Sequence, residues 1–160
     1  MTSKKKRFLF GLTAIVLIAF AVFIRCKAPT RQLSLIDDEN GAIYANYPLH
    51  EGDSFSVRFK HSVNQSDTTD IYEIKNGKIV AIGARYSSFG AGMPGDIPTD
   101  QHIEYDADGF MVIRGMHIEM QRLCYIVGTI NDHFLELNGE SINLTELCGR
   151  NRAIVFTYNQ

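Results

Sequence analysis

The sequence predicts an all-β domain, either an antiparallel β-sandwich or a small barrel-like domain, preceded by one N-terminal transmembrane helix. From Leu33 onward, short segments with apolar residues at every second position recur between turns rich in Asn, Asp and Gly. No stretch of that region carries the 3.6-residue repeat of an amphipathic helix, so many short strands are the pattern that remains. Ahead of it, residues 8–24 are uncharged, with Lys4, Lys5, Lys6 and Arg7 on one side and Arg25 and Lys27 on the other.

Those 17 residues would span about 26 Å as a helix, against about 30 Å for a hydrocarbon core. The flanking cations can reach the headgroups and cover the difference. The only small-x-small cleavage signal, Ala19-Phe20-Ala21, would leave Val22, Phe23 and Ile24 on the new terminus, so the segment reads as an uncleaved signal-anchor. Cys26 follows Phe23, Ile24 and Arg25, which are the wrong neighbours for a lipidated cysteine. The cations before the span outnumber Arg25 and Lys27 only modestly, and the acidic composition downstream decides for an N-terminus inside. The expected organisation is therefore a basic cytoplasmic tail at 1–7, a membrane anchor at 8–24, a juxtamembrane linker containing Pro29 at 25–32, and one extracytoplasmic β domain at 33–160.

The charge distribution supports that order. All 18 acidic residues lie beyond Leu33 with only nine of the 16 basic ones, a formal charge of −9 for the domain. Such a surface opposes nonspecific nucleic-acid binding and repels anionic lipid. Ten Phe and seven Tyr in the chain, with many Ile and Val, supply a core for a single domain.

Taken in order, 33–36 and 43–47 are short strand candidates. In 54–63, Phe55, Val57, Phe59, His61 and Val63 alternate with Ser54, Ser56, Arg58, Lys60 and Ser62. Segments 71–75 and 78–86 flank Asn76-Gly77, a strong two-residue hairpin signal. Around Asp106-Ala107-Asp108-Gly109, read as a plain β-turn, lie 103–105 and 110–113. Segments 123–130, 133–137 and 141–144 suggest a meander, and 153–158 a last strand. The Gly- and Pro-rich stretch 87–101 is the long loop, and loops of that length in compact domains tend to be functional.

Three features carry potential chemistry. A two-residue turn at Asn76-Gly77 puts Asp70, Tyr72, Ile74, Ile79, Ala81, Gly83 and Arg85 on one sheet face unless a bulge intervenes. His61, Asp70 and Arg85 are then expected to converge as a charged cluster that fixes the loop or binds a ligand. His61 and Ser62 fall on opposite strand phases, which argues against a directly acting base and nucleophile. Ser88, Gly90, Gly92 and Pro94 form a glycine-rich turn able to present backbone NH groups, without the lysine of a phosphate loop. Cys124 and Cys148 are either a disulfide of an oxidising compartment or two separate core thiols. No metal-ligand spacing and no cofactor motif is present in the sequence.

His61-Ser62-Val63, then Asp70-Ile71-Tyr72-Glu73, then Arg85-Tyr86-Ser87-Ser88-Phe89-Gly90-Ala91-Gly92-Met93-Pro94 together resemble the uncharacterised bacterial family DUF1850. Asn64 stands where that family usually has glutamate, Asp67-Thr68 near its usual Pro-Val pair, and Asp70 is a shortened form of its later acid. The resemblance implies a small protein of the bacterial cytoplasmic membrane, single-pass with its domain outside, often encoded beside TRAP transporters of the TAXI type. The expected function is a noncatalytic accessory or interaction module whose partner is the transporter permease or its solute-binding protein. The alternatives are an envelope hydrolase using His61 with Ser62 or Ser88, and an organic-anion sensor using Arg85 and the 90–94 loop.

Overall fold

The computed structural model describes residues 31–62, 65–87 and 101–159. The expected anchor at 8–24 and the loop residues Ser88, Gly90, Gly92 and Pro94 lie outside them. Among the described residues no helix is long and apolar enough to cross a membrane.

The described chain runs β1 (Gln32–Asp37), β2 (Ile43–Pro48), β3 (Ser54–Lys60), β4 (Asp67–Lys75), β5 (Lys78–Tyr86), β6 (His102–Tyr105), β7 (Met111–Glu119), β8 (Leu123–Val127), β9 (His133–Leu137), β10 (Glu140–Asn143), α1 (Leu144–Cys148) and β11 (Arg152–Asn159). The strands form a four-stranded sheet, β2-β1-β11-β8, and a seven-stranded sheet, β10-β9-β3-β4-β5-β7-β6. Every pairing is antiparallel.

The two sheets share one core, which decides for the sandwich over the barrel. Leu33, Leu35, Leu123, Val127, Ile154 and Phe156 from the smaller sheet pack in one cluster with Phe55, Val57, Tyr72, Ile74, Leu135 and Leu137 from the larger. The rings of Phe55 and Phe156 stack across the gap with centroids 6.1 Å apart. Each of these side chains contributes roughly 1.5–3 kcal/mol by burial, so the sequence alternation is the main determinant of the architecture.

Turn chemistry places the strands. Asn76 and Gly77 have φ of 53° and 72°, as a type I′ hairpin requires. The Glu51 carboxylate accepts the Asn76 amide and, at 3.1 Å, the Gly77 amide. Asn138-Gly139 turns β9 into β10 in the same way, with φ of 53° and 80°. Asp106 closes its own turn, accepting the Asp108 and Phe110 amides at 3.0 and 2.9 Å.

Four local expectations are corrected. β8 does not continue into a meander: it pairs with β11 in the smaller sheet, while β9 pairs with β3 in the larger, and the chain crosses between sheets after Val127. β3 stops at Lys60, so His61 and Ser62 belong to the connection and not to a strand. β7 extends to Glu119, well beyond the expected 110–113. The five residues of α1 are too few to show a helical repeat. They form because the Asn143 side chain accepts the Thr145 and Glu146 amides at 3.0 and 3.3 Å, satisfying otherwise orphaned donors.

Cys124 and Cys148 are free thiols. Leu123, Tyr125 and Val127 of β8 point into the core, so Cys124 projects from the opposite face of the sheet, whereas Cys148 belongs to the core cluster. Burial and the nearby Asp37 carboxylate push the Cys148 thiol up to about 11. With Cys26 replaced by serine, reducing agent is expected to leave the melting temperature unchanged, and a water-soluble maleimide is expected to label Cys124 before Cys148. A reductant-dependent melt would contradict this arrangement.

Candidate functional site

A β-bulge decides which of the expected site residues meet. In β4–β5, Tyr72 pairs with Ala81 as the hairpin dictates, but Ile71 pairs with Gly83, skipping Ile82. The same residue is skipped against β7, where Ala81 faces Ile118 and Gly83 faces Arg114. Beyond the skip, Asp70 lies opposite Ala84 and Thr69 opposite Arg85. Arg85 is thereby moved to the face away from Asp70, so the expected His61–Asp70–Arg85 cluster does not form as a unit.

Arg85 is instead held on the outer face. Its Nε donates to Asp106 at 2.6 Å and its terminal nitrogen to Asp108 at 3.0 Å. Its guanidinium carbon lies 3.6 Å from the Phe110 ring centroid. The Arg85 hydrogen bond, first of all, holds the Asp106 carboxyl below its usual range. The guanidinium expected to receive an organic anion is already matched by two carboxylates.

Asp70 faces inward, on the side of β4 that also carries Tyr72 and Ile74. The Tyr125 hydroxyl of β8 donates to its carboxylate at 2.6 Å. The Tyr72 and Tyr125 hydroxyls are 2.5 Å apart. Because the Tyr125 proton goes to Asp70, Tyr72 donates to Tyr125, and the three form one chain of hydrogen bonds across the core. Burial raises the Asp70 carboxyl above its usual range, with the Tyr125 bond opposing. Burial likewise raises Tyr125, Tyr72 and Tyr86, with the Asp70 charge adding to each.

His61 reaches a different place. Its amide donates to the Ser66 carbonyl at 2.8 Å and its carbonyl accepts the Gln65 amide at 3.0 Å, which closes the β3–β4 connection. It lines an open cavity of about 300 Å³ together with Phe59, Lys60, Ser62, Ile126, Ile130 and His133. Because β3 ends at Lys60, strand alternation no longer separates His61 from Ser62, and both line this space. The His133 ring lies parallel to Phe59 with centroids 5.1 Å apart. Burial lowers the His133 pKa, which keeps the ring neutral. Tyr125 meets Phe59 and His133 edge-on, with centroids 6.0 and 6.3 Å away, so the aromatic wall of the cavity is backed by the Asp70 chain.

Tyr125 and His133 are the residues that the sequence reading did not single out as functional. Tyr125 was visible as a polar-tipped aromatic between two inward positions of one strand, where a buried hydroxyl needs a partner. Nothing in the sequence pairs His133 with Phe59, since that contact depends on β9 lying beside β3. Among the described residues, no group of three His, Cys, Asp or Glu side chains is placed to hold a metal ion.

A family profile described as a domain of unknown function, DUF1850, matches residues 55–144. The match runs through the strands of the larger sheet and β8, and leaves β1, β2 and β11 outside. No curated protein and no solved structure matches the chain.

Proposed function

The chain belongs to the DUF1850 family, and from that membership we propose that it is a noncatalytic accessory module, tethered outside the cytoplasmic membrane, that docks on a TAXI-type TRAP transporter. One observation carries the reading. Ile126 and Ile130 are 60% and 62% exposed, and they stand together at the cavity lined by Phe59 and His61. Exposed isoleucines grouped around a concavity are the composition of a contact surface. The basic and uncharged N-terminal segments supply the tether, and the family resemblance supplies the transporter as partner.

The test is affinity capture of the full chain from native membranes after crosslinking. Enrichment of the permease or its solute-binding protein over an unrelated single-span protein is the expected result. The pair Ile126→Glu and Ile130→Glu is expected to weaken capture by roughly tenfold or more, the loss typical of central apolar contacts. Equal recovery from both baits would sink the reading.

The shared cavity favours one second reading, a hydrolase with His61 as base and Ser62 as nucleophile. A fluorophosphonate probe that labels the full chain, and fails to label Ser62→Ala or His61→Ala, would replace the accessory reading. Absence of labelling removes this alternative.

A further inference from the structure

Sheet edges are pairing sites unless something blunts them, and among the described strands three of the four edges are blunted. β2 ends in Pro48 and its register slips against β1. β6 has four residues, and its Glu104 is held by Arg114. β10 also has four residues and runs directly into α1. The fourth edge is β8, Leu123-Cys124-Tyr125-Ile126-Val127, which contains no charge and no proline. Among the described residues, its pairing with β11 leaves the other side of the strand without a neighbour in its sheet.

The cavity adjoins this edge, since Ile126 belongs to both. Its lining also contrasts in charge with the domain around it. Among the described residues that line it, Lys60, His61 and His133 contribute and no Asp or Glu does, within a domain of formal charge −9. A concavity that sets Phe59, Ile126 and Ile130 beside the Lys60 ammonium and the His61 and His133 rings is complementary to a segment that combines an apolar side chain with carboxylates.

We propose that the free edge of β8 and the adjoining cavity form a docking site for an extended, acidic segment of a protein partner. The segment adds as a strand beside β8, seats an apolar side chain against Ile126 and Phe59, and places a carboxylate near Lys60. Backbone pairing supplies affinity that is indifferent to sequence, while the cavity and its charge choose the segment. This rests on the interaction-module reading and specifies the chemistry of the partner surface.

The test selects binders for the full chain, in lipid nanodiscs, from a displayed library of random peptides. Enriched sequences are expected to alternate apolar residues with Asp or Glu, and bound peptide is expected to slow hydrogen exchange at β8 amides. Ile126→Glu and Lys60→Glu, both at exposed positions, should each weaken the selected peptides by about tenfold or more, with melting temperatures unchanged. The proposal is overturned if nothing is enriched, if the enriched sequences carry no acidic excess, if both variants bind as the wild type does, or if β8 exchange is unaffected. It is equally overturned if the full chain forms dimers that Ile126→Glu dissolves, because a second copy would then cover the edge. Capture of the transporter from membranes without peptide selection at β8 would leave the module reading standing and remove this one.

Discussion

Tyr125→Phe is expected to destabilise the domain by about 2–3 kcal/mol, the cost of leaving a buried carboxylate without its donor. The hydroxyl lost is the one that donates to Asp70 at 2.6 Å while it receives Tyr72. Its ring contacts with Phe59, His133 and Phe156 are kept, so the loss isolates the polar chain from the aromatic packing. Asp70→Asn should behave differently, since an amide oxygen accepts the same bond without charge, and at neutral pH it is expected to be as stable as the wild type or more so.

The pH dependence follows from the raised Asp70 carboxyl. The folded protein holds that proton more tightly than the unfolded chain, so no cost is present below the unfolded pKa of about 3.9. As pH rises from there through the folded value, ionisation in the core costs stability, and the wild type falls relative to Asp70→Asn until a plateau is reached. Urea denaturation of both proteins across that range checks the sign. Parallel curves would mean that Asp70 is ionised at no cost.

Gly83→Ala is expected to lower stability by about 2–3 kcal/mol through overpacking. A Cβ at Gly83 would lie 2.6 Å from the Ile113 carbonyl oxygen, a backbone atom of the paired strand, so β5 and β7 would have to separate. Gly41→Ala separates steric from conformational cost. Gly41 has φ of 75° with nothing within 4 Å of its added Cβ, and should lose only about 1 kcal/mol. A Gly83→Ala protein that melts with the wild type would place β7 elsewhere.

Much of the strand inventory was legible because each signal is local. The alternation around Phe55, Val57 and Phe59, and the Asn76-Gly77 and Asn138-Gly139 turns, depend on residues a few positions apart. The candidate site was less legible. Which face Arg85 takes depends on Ile82 being skipped by two neighbouring strands at once, and that is settled by the run of β7 around Gly115, whose φ is 79°. His61 and Ser62 escape strand alternation because the Ser66 and Gln65 bonds end β3 at Lys60.

The sequence by itself determined an all-β domain with an acidic surface, its turns, and a kinship read from His61, Asp70 and Arg85 onward. Tertiary structure alone decided that β8 joins the smaller sheet, that Tyr125 reaches Asp70 across the core, and that Cys124 and Cys148 stay apart. The physical reason is range: turn geometry and apolar period are written within a few residues, whereas a side chain's partner across two packed sheets depends on register, and one skipped residue exchanges the two faces.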